Sequence, residues 1–436
     1  MANPLLITDG DISGVLKNIY ASFRINAFPK LTPLLAQLKK GKAGGPERMQ
    51  WGGNGVFFDV ILDRPVGMVA NDAGLFPPGA NARERQATLG IKRTYVQRQI
   101  DALAVQGTSA KEAAFVPLAR KIVTEALDAA RLGQQEVLHG DGSGVKALLT
   151  STADTTHFVA ISPYGITGAG QGGLLLDVGM FITVHSGVTS TIRGSATITN
   201  VANSGDNCTV TLDTAIASMA SGDGVYAAST AASDSRNAYP NGLTNIINRG
   251  AAYNSFEGID AATFGRWDST RFVAGTDTDV ADAPSEMDVW KLATTVAGKS
   301  GKDARMQPEE FLLMTTPGIE RRLAESFLGQ RRWDSEAGAK LEGGFKSINI
   351  AGLNLISDYW CPQGTLYLLH IPSLTWVDRQ DWVKLQYEDS GPWRFMPGRD
   401  AYEVNFGAYW NDGALQRNSH GVITGYTDPD RFTHVQ

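Results

Sequence analysis

From Thr88 to Asp101 polar and apolar residues alternate in a way that suits a strand but not a core. One face carries Lys92, Thr94, Val96, Arg98 and Ile100, and the other Arg93, Tyr95, Gln97, Gln99 and Asp101. Of these ten only Tyr95, Val96 and Ile100 are apolar, so the pattern predicts a polar ribbon with neither face able to seal a core. Residues 56–62 read as a strand rich in β-branched and aromatic side chains, and 73–80 as a tip-like turn. Together 56–62 and 88–101 predict a long two-stranded excursion. An isolated hairpin is marginal in water, so this one needs support from outside itself.

A helical period follows the ribbon. Phe115, Leu118, Ile122, Ala126 and Ala129 step by three and four, with Glu125, Asp128 and Arg131 on the polar side. That predicts an amphipathic helix over about 109–138. Ser109 and Glu112 stand at capping-box spacing, and Pro117 implies an irregular first turn with regular helix beyond it. At about 1.5 Å per residue, the stretch from Pro117 to Leu138 would span roughly 33 Å. The glycines of His139-Gly140-Asp141-Gly142-Ser143-Gly144 then stop the helix.

The remaining pattern divides the chain. Residues 1–45 read as an arm: a short amphipathic helix over about 11–23, an interruption at Pro29 and Pro33, and a second helix from Pro33 to Lys40. Such a segment is too poor in apolar residues to fold alone and must drape over something. Residues 46–107 hold the ribbon and its flanking strands, and 108–153 the long helix. In 154–235 Ser, Thr, Gly and Val dominate; strands at 181–184, 196–201 and 208–212, with a turn at 203–207, predict a small barrel-like β module inserted in the chain. Residues 236–390 read as mixed. Helices fall at 288–298 and 317–328, and strands at 311–314, 353–356, 365–369 and 382–386. A last strand at 402–409 falls in 391–436. The overall class is α+β.

Composition narrows the function. At 436 residues the chain has room for about two to four domains. A net charge of −6 gives no basic footprint for wholesale nucleic-acid binding. Two distant cysteines, Cys208 and Cys361, do not make a disulfide framework and favour a reducing compartment. No signal-peptide pattern opens the chain, and no run approaches 18 apolar residues, so the expectation is a soluble, cytoplasmic protein without a membrane span.

Candidate chemistry is sparse. Histidines 139, 157, 185, 370, 420 and 434 never fall at metal-ligand spacing, and neither a Gly-x-Ser-x-Gly elbow nor a Walker loop occurs. The 139–144 loop has the composition of a phosphate cradle, but it follows a helix where phosphate loops precede one. Asp277 and Asp279 begin like a calcium loop, yet Ala281 takes the third ligand position. No catalytic residue, metal or cofactor is expected. The stretch 277–288 holds five acids and no base, whereas 83–98 holds five bases and one acid. The bland reading of both is a solvated face. The sharper one is a contact between neighbouring subunits, with Arg83, Arg85, Lys92, Arg93 and Arg98 meeting Asp277, Asp279 and Asp282.

The order of parts resembles the major capsid proteins of tailed bacteriophages, which have the Hong Kong 97-like fold. An N-terminal arm, a basic two-stranded extended loop and a spine helix ending in His139-Gly140-Asp141-Gly142 carry the likeness. Phe311-Leu312-Leu313-Met314-Thr315-Thr316-Pro317 with its following helix resembles the central strand and helix of the axial domain. Residues 402–409 look like the returning strand of the peripheral domain, and the β-rich module is similar to insertion domains of some members. The resemblance implies a non-enzymatic subunit that self-assembles as pentamers and hexamers into an icosahedral head around double-stranded DNA. It also implies a location in the virion after assembly in a host cytoplasm. Implied partners are a separate scaffolding protein, a portal and a cement protein. Some members crosslink a loop lysine to a neighbour's asparagine; Lys92 is the ribbon's only lysine, nothing supplies a catalytic acid, and no crosslink is carried over. An encapsulin-like compartment shell shares the fold, and a hydrolase using His139 or Ser143 stands as the rival from another class.

Overall fold

The computed structural model describes residues 33–40, 50–53, 55–63, 81–103, 118–152, 154–163, 171–187, 191–204, 207–231, 236–247, 255–278, 284–328, 348–350, 352–384 and 394–428. The short helix expected over 11–23, the capping box at Ser109 and Glu112, and the 73–80 turn lie outside them.

Helix α1 (Pro33–Lys40) buries Leu34, Leu35 and Leu38. Strand β1 (Gln50–Gly52) pairs with β2 (Gly55–Asp63), which pairs antiparallel with β3 (Arg83–Gly90). Strand β4 (Lys92–Asp101) is separate from this hairpin: it pairs along its length with a strand over 300 residues later, Lys92 opposite Trp410 and Asp101 opposite Ala401. The predicted continuous ribbon therefore breaks at Gly90, and its two halves join different sheets. The expectation that neither β4 face could seal a core also fails. Ile100 is fully buried, and Val96 packs with Val123, Leu127, Val404, Phe406 and Trp382. Two apolar residues suffice because a helix and a neighbouring strand supply the rest of that layer.

That helix is α2 (Leu118–His139). Its buried stripe runs through Ile122, Ala126, Ala130 and Leu138, one position from the predicted Ala129. Gly142 and Gly144 adopt φ of 79° and redirect the chain, a conformation glycine reaches without steric cost. A β-carbon on Gly144 would overlap the Tyr239 ring. Gly144→Ala should therefore destabilise the chain by about 1 to 3 kcal/mol, read as a lower denaturant midpoint at unchanged slope.

The chain next forms a closed barrel. Its strands are β5 (Val145–Thr152), β6 (His157–Ile161), β7 (Phe181–His185), β8 (Ile192–Ser204), β9 (Asn207–Leu212) and β10 (Gly224–Ala227), in the order β10-β5-β6-β9-β8-β7. Leu149, Phe158, Ile182, Val184, Ile198, Val210 and Val225 fill it. The barrel begins at Val145 rather than at 154, because β5 starts directly from the glycine turn. Arg193 pairs with Asp223 at 2.6 Å, and Asp223 also accepts from Gly187 N at 3.0 Å and Ala220 N at 2.8 Å, which ties the rim. Lys146 of β5 reaches Glu136 of α2 at 3.4 Å and lies 5.5 Å from the Tyr239 ring, fixing barrel to helix.

After a short helix α3 (Leu243–Ile246) comes a small hairpin of β11 (Ser255–Phe256) and β12 (Ile259–Asp260). Next are β13 (Thr270–Val273), α4 (Glu286–Ser300), β14 (Phe311–Thr315), α5 (Pro317–Leu328), β15 (Ile348–Ile350), β16 (Leu353–Ser357) and β17 (Thr365–His370). Ser285 and Asp288 form a capping box on α4, which starts two residues before the predicted 288. The chain ends with β18 (Leu374–Lys384), β19 (Arg394–Phe395), β20 (Ala401–Ala414) and β21 (Gly421–Thr424).

Six of these strands form a sheet in the order β13-β21-β17-β14-β16-β15. Alternation sorts its two faces: Leu313, Leu355, Leu366, Leu368 and Ile423 meet α4 and α5, while Leu312, Met314, Tyr367, Leu369 and Val422 meet the central core with Leu34, Leu138 and Trp410. Strand β21 thus belongs to this sheet rather than to the returning strand, although the two are near in sequence. Strands β18, β20, β19 and β4 form the second sheet, with α2 on one face. The predicted strand at 382–386 is the end of the longer β18; residues 385 and 386 lie outside the described residues.

Candidate functional site

No catalytic constellation forms around the residues the sequence offered. His139 is fully buried, and its Nε2 lies 3.0 Å from Asp358 Oδ2. Gln135, one turn earlier on α2, donates to the same oxygen, and its Oε1 accepts from Leu35 N at 2.9 Å. Asp358 Oδ1 accepts from Trp360 N at 3.0 Å. This knot joins α1, the end of α2 and the loop after β16. Ser143 faces elsewhere: its hydroxyl and its N–H both go to Asp141 Oδ1, a local turn. His139 and Ser143 are not brought together. Among the described residues no group of three or more His, Cys, Asp or Glu could hold a metal ion.

The candidate contact residues separate into three kinds. Arg83, at the start of β3, pairs with Asp63 across the hairpin, and its guanidinium lies 5.0 Å from the Phe264 ring. Arg85 lies 5.7 Å from the same ring. Both are exposed yet stack on their own chain, holding the hairpin against the 261–264 turn. Lys92 is committed inward: its Nζ donates to Asn237 O at 2.8 Å, and burial pushes its pKa down. Asp277 is also engaged locally, its Oδ2 accepting from Val273 N at 2.8 Å and its carbonyl accepting from Lys291. Asp279 and Asp282 lie outside the described residues.

Arg93 and Arg98 are different. Both are exposed on β4, and among the described residues neither has an ion pair. Tyr95, 56% exposed, shares the Arg93 face and packs edge-on against Tyr409 at 6.2 Å, whereas Arg98 projects from the opposite face of the strand. Among the described residues β4 pairs with β20 and with no other strand. Exposed Arg and Tyr side chains are of the kind enriched where protein surfaces meet.

Two further polar clusters escaped the sequence reading. Glu257 is buried at the tip of the β11–β12 hairpin with φ of 53°, followed by Gly258 at 81°. Positive φ at both positions is the geometry of a type I′ turn. Its carbonyl accepts from Thr88 N at 2.9 Å, and its Oε1 accepts from Ala414 N at 3.1 Å, so one residue clasps both the β2–β3 hairpin and β20. Arg417, fully buried, donates to Ile246 O at 2.8 Å and stacks 5.1 Å from Phe256. The other cluster gathers His370, Ser373, Ser419 and His420 where the two sheets join. Neither had a signal in spacing, because the two halves of each cluster lie far apart in sequence, 46 residues from Ser373 to Ser419 and 160 from Glu257 to Arg417.

No family model matches the chain, and no curated protein matches it in sequence. Solved structures do. A chain of the capsid asymmetric unit of cyanophage A-1(L) is similar over 96% of this chain and 99% of that one, with a TM-score of 0.58 and 14% identity. The chain has the phage capsid fold. The capsid of a native GTA particle matches over 94% of this chain and 96% of that one, at a TM-score of 0.49 and 7% identity. The SrpI encapsulin of Synechococcus elongatus matches over 95% and 96%, at a TM-score of 0.44 and 9% identity.

Proposed function

We propose that this chain is the shell-forming subunit of a tailed-phage head, assembling with copies of itself as pentamers and hexamers around double-stranded DNA. What carries the reading is the end-to-end match to a phage capsid subunit at a TM-score of 0.58. The polar groups of the chain agree with it. The clusters around Glu257 and His420 are buried joints between elements, and Arg93 and Arg98 are exposed on β4. A separate scaffolding protein and a portal are the partners such assembly calls for, and the host cytoplasm is its place. An encapsulin-like shell differs in content, and enclosed protein in place of nucleic acid would favour it.

A deletion from Ala80 to Arg98, which the sequence alone suggests, would strip most of β4 from its sheet and unfold the subunit. The cleaner test reverses two charges. Arg93→Glu with Arg98→Glu should leave stability within about 0.5 kcal/mol, since both side chains are exposed, while reducing assembly at least tenfold in a sedimentation assay. Normal particle yield from that variant would remove these two residues from the assembly surface.

A further inference from the structure

The two sheets are connected by crossovers that lie side by side. Strand β17 ends at His370, turns through Ile371–Ser373 and enters the second sheet as β18. Strand β20 leaves that sheet at Ala414, turns through Arg417–Ser419 and enters the six-stranded sheet as β21. His370 N donates to His420 Nδ1 at 3.2 Å. A backbone N–H can only donate, so Nδ1 of His420 is bare and the ring proton resides on Nε2. That nitrogen lies 3.1 Å from Ser373 Oγ, which also meets Ser419 Oγ at 2.6 Å. The two turns are thus stapled by a closed set of hydrogen bonds, every member of which is buried.

We propose that His420 is an acid-released bolt between the two sheets. Protonating Nδ1 would set a donor against the donor of His370 N and break the staple, freeing the crossovers to let the sheets reorient. The surroundings oppose that protonation in the closed state. Burial first, then the neighbouring His370 and Arg417, push the pKa of His420 down to about 3. Glu310 is engaged by His370 Nε2 at 2.9 Å, and Lys302 adds a further positive charge near His370. Arg417 is itself faced by Glu257, Asp268 and Arg271. Among the described residues no acid is paired with His420 to hold a charge there.

The opened state regains an ordinary histidine near pH 6.5, so it takes up a proton that the closed state refuses. Its population should rise about tenfold per pH unit as pH falls from 6.5 toward 3. This device belongs to the subunit and is independent of what the shell encloses. Ring-labelled histidine followed by nitrogen NMR on the whole chain at pH 7 should show His420 with Nε2 protonated and Nδ1 bare, assigned by the signal lost in His420→Asn. Hydrogen exchange over residues 366–376 and 414–424, corrected for intrinsic rate, should accelerate about tenfold per pH unit below 6.5 in the wild type. His420→Asn offers His370 N an acceptor that does not titrate there, and should give a flat profile. An Nδ1-protonated tautomer, or parallel profiles for the two proteins, would overturn the proposal. If His420→Asn does not fold, the signal is assigned instead by backbone-linked labelling of the wild type, and the tautomer still decides.

Discussion

Asp358→Ala should cost the folded chain on the order of 3 to 5 kcal/mol, measured as the shift of a denaturant unfolding curve. The Asp358 carboxylate is the shared acceptor of His139 Nε2 and Gln135 Nε2, and it also holds Trp360 N. The side chains of His139 and Asp358 are completely shielded from solvent. Deleting the carboxylate leaves two side-chain donors without an acceptor where water cannot replace it, and the full desolvation penalty of each falls on the native state. The damage would reach beyond the loop, because Gln135 also anchors Leu35 of α1. Proteolysis near α1 should therefore speed up together with the loss of stability. Asp358→Asn, which keeps one acceptor oxygen, should lose roughly half as much. A fall below about 1 kcal/mol for alanine would mean that the knot is not what holds α1 and α2 to the six-stranded sheet.

The second large effect is a pH dependence of opposite sense to that of His420. Burial holds the Glu257 carboxyl up to about 8, against the smaller opposing pull of Ala414 N and Arg417 and with a further push from Asp412. Asp412, fully buried on β20, is pushed well above its ordinary range by burial as well. The folded chain keeps the Glu257 proton while the unfolded chain releases it above about 4.5, so the unfolded state binds fewer protons across that window. Stability is then fullest below pH 4.5 and falls as pH rises toward 8, by on the order of 4 kcal/mol from this one group. Glu257→Gln copies the protonated form and still accepts from Ala414 N. Its unfolding free energy relative to wild type should climb by that amount between pH 5 and pH 8. A constant difference across the window would show that Glu257 is ionised in the fold.

Local pattern made much of this fold legible. The end of helix α2, the hydrophobic 311–314 strand, the 317–328 helix and the strands at 208–212 and 365–369 all sit within a residue or two of their expected places, because each carries a clear period or a bounded apolar run. The ribbon misled for a physical reason. Residues 83–90 and 92–101 are both extended and polar, and nothing in their alternation records that β4 would find its partner at 401–414 while β3 found its own at 55–63. Pairing across 300 residues is a property of the assembled core, with Phe406 and Val123 supplying the apolar contacts that β4 lacks. Strand β5 was hidden by its neighbours, since a glycine turn after a helix gives no sign that a barrel strand begins at once.

The candidate contact residues were legible as charge and not as partnership. Five cations in 83–98 look equivalent in the sequence, yet Lys92 is bound to Asn237, Arg83 and Arg85 are stacked on Phe264, and Arg93 and Arg98 alone stand clear of such contacts. Asp277 reads as a free acid and proves to be a turn former. The buried clusters were out of reach altogether: Glu257 is one glutamate in a loop until the fold places Thr88 and Ala414 beside it.

The central claim is that this subunit builds a closed shell. Electron microscopy of the full chain, expressed alone over a range of concentrations, tests that most directly. The account predicts hollow icosahedral particles, or free pentamers and hexamers of this chain, that the charge-reversed Arg93→Glu, Arg98→Glu protein does not form. A chain that stays monomeric at every concentration would contradict it.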